Sequence, residues 1–277
     1  MRCAVLGSPI AHSLSPVLHR AAYAELGLDW EYDAREVREE ELAGFLDGLD
    51  AEWRGLSLTM PLKRAVVPLL DELSERAVQA AAANTVVLDR VGDRLRRVGH
   101  NTDIAGAAAA LREAYAGPLA RAIVLGGGAT AASTLLGLAD LGCAEATLLV
   151  RDESRAAETL AAVARHQQPP TVTVRRLGHR PGDDPAGLAD VLVSTIPVSA
   201  QTDDVLQLVD GVAVVFDVVY DPWPTPLATR ARESGRVVVS GLDLLVHQAA
   251  AQVELMTGRT APLAVMRAAG ERALPGS

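Results

Sequence analysis

The sequence predicts an α/β protein of two domains, and three observations carry that expectation. Short apolar runs rich in Val, Leu and Ala alternate with helical patterns along the chain, the rhythm of βαβ units around a mostly parallel sheet. One such unit, "RAIVLGGGATAASTLLGLADLG", runs strand, glycine turn and helix within about 20 residues, the opening of a doubly wound dinucleotide fold. The length, 277 residues with 49% hydrophobic and 22% charged, gives enough apolar material for two cores.

The elements follow in order. "RCAVLG" (2 to 7) reads as a buried strand, and "SPVLHRAAYAEL" (15 to 26) as a helix with Ser15 at the N-cap and Pro16 at N1. "DWEYDARE" alternates like a strand, "REEELAGFLDGL" has helical spacing, and "WRGLSLT" is a strand again. Pro61 starts another helix. Two short strands, "NTVVLD" and "RLRRVG", follow "ELSERAVQAAAA", and "HNTD" leads into the helix "IAGAAAALREAYA", which Gly117 and Pro118 end. After the glycine unit, "EATLLVRDESRAAETLAAVA" supplies a strand and a helix. Strands continue as "TVTVRRL", "ADVLVSTIP", "GVAVVFDVVY" and "RVVVS"; Pro222, Pro224 and Pro226 break the chain after Tyr220. "GLDLLVHQAAAQVELM" and "APLAVMRAAGERAL" close it as helices, with no internal repeat, and "HQQPPTVTVRRLGHRPGDDP" is loop-rich around one strand.

Composition excludes several partners. A net charge of −9 without a Lys/Arg cluster provides no footprint for nucleic acid or an anionic membrane, so a small molecule is expected. No stretch reaches the ~18 apolar residues of a membrane span, and no charged leader precedes an apolar run, so a cytoplasmic protein is expected. Cys3 and Cys143 are too few for a disulfide framework or a zinc motif and are read as buried thiols, and the six histidines lack metal-ligand spacing, so no metal is expected.

Depletion singles out three residues. Lys63 is the single lysine among 26 basic side chains, and asparagine occurs only at 84 and 101. A bias that drains a residue type leaves it mainly where replacement is costly. Lysine offers what arginine does not, a compact ammonium that can also give up its proton.

Gly126, Gly128 and Ala131 fit G-x-G-x-x-G/A, in which glycines permit the tight turn and the close approach of a pyrophosphate to a helix N-terminus. A methyltransferase also uses such a turn, and that alternative stays open at this point. At the end of the second strand, where an NAD site usually carries Asp or Glu, stands Val150, followed by Arg151 and, one turn on, Arg155. Two arginines suit the 2′-phosphate of NADP, although Asp152 and Glu153 lie between them; NADP is expected over NAD.

Together "GSPIAHSLSPVLH", "LTMPLK", "AAAANT", "HNTD", the GGGAT turn, "FDVVY" and "GLDLLVHQA" resemble the successive motifs of the shikimate dehydrogenase family, in the same order and across almost the whole chain. The resemblance implies reversible reduction of 3-dehydroshikimate to shikimate with NADPH, in the chorismate pathway to aromatic amino acids. It implies Lys63 and Asp103 as the catalytic pair, with oxidation, in which Lys63 must accept a proton, running faster at alkaline pH. Ser13 and Ser15, assisted by Tyr220, would bind the substrate carboxylate, and Thr59, Asn84, Asp103 and Gln248 the ring hydroxyls. The cofactor would lie on Gly126, Gly127, Gly128, Ala129, Thr130 and Ala131, with Arg151, Arg155, Ser194, Thr195, Val218 and Gly241. Residues 1 to 103 with 243 to 277 would form the substrate domain and 104 to 242 a Rossmann-type NADP domain, with the active site in the cleft between them, in a monomer or homodimer.

The chain departs from the family pattern in places. Ser57 stands where asparagine is usual, Ala129 where a second glycine is, Val218 where methionine is frequent, and "STIPVS" replaces the usual Asn-Ala-Thr-Gly. Rival readings are a quinate or aminoshikimate dehydrogenase, a non-catalytic NADP-binding sensor, and a methyltransferase.

Overall fold

The computed structural model describes residues 1–92, 94–178 and 189–274. Two compact units emerge, Met1–Asp103 with Leu245–Ala273, and Ile104–Leu244.

The first unit contains β1 (Arg2–Gly7), α1 (Ser15–Glu25), β2 (Glu31–Glu36), α2 (Glu39–Asp47), β3 (Trp53–Leu58), α3 (Leu62–Ala65), β4 (Glu72–Leu73), α4 (Glu75–Ala80), β5 (Thr85–Val91) and β6 (Arg94–His100). They form one sheet of order β2-β1-β3-β5-β6-β4. β1 is parallel to both β2 and β3, as its βαβ connections require, whereas β5 and β6 enter as an antiparallel hairpin. β1 is buried from Cys3 to Gly7 because both of its faces are covered, which is why it reads as a continuous apolar run. Leu6, Leu56, Leu58, Leu62, Val86 and Leu88 lie in the core of this unit.

Register decides which residues meet. Leu6 pairs with Leu58, Ser57 with Thr85, and Thr85 with His100. The residues that follow β1 and β3, those that precede β5 and those that follow β6 therefore gather at one end of the sheet. In parallel α/β sheets this carboxyl end is where ligands bind.

The second unit begins with α5 (Asp103–Ala114), whose first residue belongs to the first unit. It continues with β7 (Arg121–Leu125), α6 (Ala129–Asp140), β8 (Glu145–Val150), α7 (Ala157–Val163), β9 (Thr171–Arg176), β10 (Val191–Ser194), α8 (Asp203–Leu206), β11 (Val214–Asp217), α9 (Pro226–Glu233) and β12 (Val237–Val239). Its sheet is parallel throughout, of order β12-β11-β10-β7-β8-β9. Numbered from its own first strand, this is the 6-5-4-1-2-3 arrangement of a doubly wound dinucleotide fold, with its switch point between β7 and β10. Val124, Leu148, Val193, Val214 and Phe216 form its core on one face, with Leu135 of α6 packed on them.

α10 (Gly241–Thr257) leaves the second unit and re-enters the first, where α11 (Leu263–Ala273) follows it. Cys3 and Cys143 are free and buried, and burial pushes the Cys143 thiol up to about 11. Among the described residues no helix is long and apolar enough to cross a membrane.

One local expectation needs correction, and two others gain detail. Ser15 is the first residue of α1 and Leu14 holds the N-cap position without a side-chain hydrogen bond. The reason is that Ser13 already occupies the helix entrance, its Oγ accepting from the Ser15 N–H at 3.3 Å. The prolines after Tyr220 do more than break the chain: Thr225 caps α9, its Oγ1 accepting from the Ala228 N–H, and Pro226 sits at the start of that helix. The helix starting after Pro61 is a single turn, Leu62–Ala65.

Candidate active site

Lys63 lies on α3, the turn that follows β3, and Asp103 is the first residue of α5, after β6. Sheet register brings the two together. Lys63 Nζ donates to Asp103 Oδ2 at 2.6 Å, with the two side chains only 15% and 7% exposed. Solvent screens such a shielded ion pair little, so its direct Coulombic attraction exceeds that of a surface pair. The carboxylate also sits in the first turn of a 12-residue helix, where the dipole favours negative charge.

Asn84 closes the other side of the carboxylate. Its Nδ2 donates to Asp103 Oδ1 at 2.9 Å and lies 2.8 Å from Thr102 Oγ1 and 3.2 Å from Gln248 Oε1. Its Oδ1 accepts from the backbone N–H of Thr102 at 2.8 Å. Because that backbone group can only donate, the orientation of the Asn84 amide is set. Gln248, on α10, has its Nε2 on Leu245 O at 3.0 Å. Four of the predicted residues, Lys63, Asn84, Asp103 and Gln248, thus form one hydrogen-bonded cluster.

The remaining substrate candidates of this unit lie on the loops at the same end of the sheet. Thr59 follows β3 directly; its N–H donates to Leu6 O, and a Cβ on Gly7 would fall 2.4 Å from its Cγ2. Ser13 is half-buried and Ser15 buried. Beneath Ser15, His19 is fully buried, its Nδ1 2.9 Å from Ser15 O and its ring stacked on Tyr32 with centroids 3.9 Å apart. A carbonyl oxygen only accepts, so Nδ1 carries the proton, and Nε2 has no hydrogen-bond partner. Burial without a partner for a second proton lowers the His19 pKa to about 4, and the ring stays neutral.

The second unit carries the expected dinucleotide features. Gly126, after β7, has φ +101°, and a Cβ there would fall 2.4 Å from Thr195 Oγ1, so both the conformation and the space demand glycine. Thr195 Oγ1 in turn donates to Leu125 O at 2.7 Å, which ties the ends of β7 and β10 at the switch point. Gly128 caps α6 and faces open space, Gly127 O accepts from Thr159 Oγ1, and Ala131 is fully buried against the sheet. Ala129 and Thr130 form the first turn of α6, where the leading N–H groups have no partner within the helix. A pyrophosphate fits this cradle. Arg151, just beyond β8, is exposed, while Asp152 turns back to accept from the N–H and Oγ of Ser154. The Arg155 side chain lies outside the described residues.

Val218 and Gly241 meet. A Cβ on Gly241 would fall 2.1 Å from Val218 O, so glycine alone lets α10 start against the end of β11. Ser194 is fully buried at the end of β10, in register with Asp217. Tyr220 is half-buried on the loop after β11. That loop is anchored by Asp217, whose buried carboxylate accepts from Gln201 Nε2 and Thr225 Oγ1, both at 2.7 Å, and from the Val219 N–H. Burial raises the Asp217 pKa in spite of these donors.

The family description "Shikimate dehydrogenase substrate binding domain" matches residues 5–86, and "Shikimate 5'-dehydrogenase C-terminal domain" matches residues 241–269. A protein of Moorella thermoacetica named shikimate dehydrogenase (NADP(+)) is 38% identical over 270 residues, 95% of this chain and 90% of its own. The chain belongs to the shikimate dehydrogenase family. Solved structures agree with that membership. The Mycobacterium tuberculosis shikimate dehydrogenase superimposes with a TM-score of 0.86 at 39% identity, covering 98% of this chain and 99% of its own. The Thermus thermophilus shikimate 5-dehydrogenase, solved in complex with NADP(H) and shikimate, does so with a TM-score of 0.79 at 30% identity, covering 99% and 100%.

Behind Asn84, Tyr32, Ser57, Gln252 and Thr85 are hydrogen-bonded in a buried row, and of these only Ser57 stands out in the sequence, as a departure. Gln252 carried one signal, its position four residues after Gln248 on the same helix face.

Proposed function

We propose that this chain catalyses the reversible NADP-dependent reduction of 3-dehydroshikimate to shikimate, as a soluble cytoplasmic enzyme. The observation that carries the reading is the shielded 2.6 Å pair of the lone lysine with Asp103. The names of the relatives and the solved complex with NADP(H) and shikimate support it.

The residues divide the work as follows. When bound, NADPH supplies the hydride for the carbonyl carbon. As that carbon becomes tetrahedral, negative charge grows on its oxygen, and Lys63 Nζ gives that oxygen a proton; in the oxidation direction the same atom takes the hydroxyl proton back. Arginine stays protonated at any working pH and can neither give that proton up nor take one back. Asp103 holds the ammonium and, with Asn84 and Gln248, offers the mixture of donors and acceptors that a polyol ring needs. Ser13 and Ser15 take the carboxylate. Residues 1 to 103 with 245 to 273 form the substrate unit, and the unit from 104 to 244 holds NADP on the Gly126–Gly128 turn, with Arg151 as the exposed cation for the 2′-phosphate.

The test is a rate matrix: oxidation of shikimate and of quinate, each with NADP and with NAD, followed at the nicotinamide absorbance. Shikimate with NADP is expected to give the highest kcat/KM. Faster turnover of quinate would reassign the substrate, and no turnover in any cell would sink the enzymatic reading.

A further inference from the structure

Behind the catalytic pair, in the same unit, runs a line of buried polar groups. Tyr32, Ser57, Thr85, Asn84 and Gln252 are each at most 3% exposed. Tyr32 OH donates to Ser57 Oγ at 2.6 Å, and Ser57 Oγ donates to Gln252 Oε1 at 2.8 Å. Gln252 Nε2 donates to Thr85 Oγ1 at 3.0 Å and to Asn84 O at 3.2 Å, and Thr85 Oγ1 donates to Asn84 Oδ1 at 2.9 Å. Asn84 Nδ2 then reaches Asp103 Oδ1 at 2.9 Å, opposite Lys63.

The direction of this line is not arbitrary. Two backbone groups fix it, since Asn84 O can only accept, which turns Nε2 of Gln252 toward it, and the Thr102 N–H can only donate, which turns Oδ1 of Asn84 toward it. With both amides oriented, the Thr85 and Ser57 hydroxyls each have one available role. Thr85 accepts from Gln252 and donates to Asn84, and Ser57 accepts from Tyr32 and donates to Gln252. Burial keeps the Tyr32 phenol protonated, so its end of the line is a donor at every working pH. Hydrogen bonds in series that all point one way polarise one another, most strongly in a buried setting.

We infer that Tyr32, Ser57 and Gln252 are positioning residues for the catalytic pair, forming with Thr85 and Asn84 a one-way hydrogen-bond relay that ends on the Asp103 carboxylate. None of the three touches the Lys63–Asp103 pair directly. The relay holds the Asn84 amide against Oδ1 and so leaves Oδ2 aimed at Lys63. Gln252, from α10, is its central link, and Ser57, where the family usually carries asparagine, is a link and not a substrate contact. This inference rests on the proposed function only where it speaks of turnover.

The test uses Gln252→Met, which keeps the side-chain volume and removes both hydrogen-bonding ends, and Tyr32→Phe, which removes one oxygen at the far end. Asparagine-selective 15N labelling of the full chain gives two side-chain amide pairs, from Asn84 and Asn101. Gln252→Met is expected to move the Asn84 pair and leave the Asn101 pair, whose Nδ2 lies on Ala82 O, in place. In shikimate oxidation, kcat is expected to fall roughly tenfold, the loss of about one neutral hydrogen bond, with KM little changed. Adding Tyr32→Phe to Gln252→Met should lower kcat no further, because the relay is already cut. An unmoved Asn84 pair in folded Gln252→Met, or losses that simply multiply in the double variant, would overturn the relay. A wild type that fails to oxidise shikimate would sink the functional reading alone, since the Asn84 amide pair still decides the relay.

Discussion

Acidification isolates the contribution of one buried ring. His19 has no exposure, lies on Tyr32, and donates its one N–H to Ser15 O. Its pKa falls from 6.5 to about 4 because burial opposes the charged form. The unfolded chain takes up a proton at this position as pH drops below 6.5, whereas the folded chain refuses it until about 4. Stability from a neutral His19 is therefore fully present above pH 6.5 and is lost progressively down to about pH 4. At 1.36 kcal/mol for each pH unit of that gap, the loss is about 3 kcal/mol. His19→Asn removes the titration and keeps an N–H for Ser15 O; its lost stacking lowers stability equally at every pH. Urea unfolding of both proteins from pH 7 to pH 4, followed by circular dichroism, gives the difference between them. That difference should shrink, or change sign, by about 3 kcal/mol across the window, with other acid effects common to both proteins cancelling. A difference that stays flat from pH 7 to 4 would refute the assignment of a buried neutral ring.

Two further outcomes follow from the second unit. Arg151→Ala should raise KM for NADP about tenfold, the loss of one charge-assisted phosphate contact, and leave KM for NAD unchanged; equal changes for both cofactors would remove Arg151 from the 2′-phosphate site. Asp217→Asn puts an amide donor where Gln201 and Thr225 both donate, so thermal unfolding should show a destabilisation of about 1–3 kcal/mol, and an unchanged melting temperature would contradict the anchoring of the Tyr220 loop.

Local patterns in the sequence declare much of this fold. β1, β7 and β8 read as strands because buried parallel strands are apolar on both faces, and the glycine turn reads as a phosphate cradle because a positive φ and a close backbone approach need glycine. Lys63, Asn84 and Asp103 were legible because the chain is nearly drained of lysine and asparagine and because the motifs stand in order. Features that depend on tertiary pairing were hidden. β4 is two residues long and exists through its pairing with β6, which no periodicity reveals. Tyr32 is the one buried residue of an otherwise largely exposed edge strand, and its hydroxyl finds Ser57 only because β2 and β3 flank β1. Gln252 looks like any polar helix residue until α10 is laid against Asn84 and Thr85. Asp217 looked like part of a motif, and its role as the acceptor for Gln201 and Thr225 needs three separated segments to converge.

The most direct measurement compares wild type with Lys63→Ala and Lys63→Arg in shikimate oxidation with NADP, alongside calorimetric binding of shikimate. Both variants should lose kcat by about 100-fold or more, the usual scale of a positioned proton-transfer group, while still binding shikimate. Turnover retained by either variant would contradict the central claim that the lone lysine beside Asp103 moves the proton.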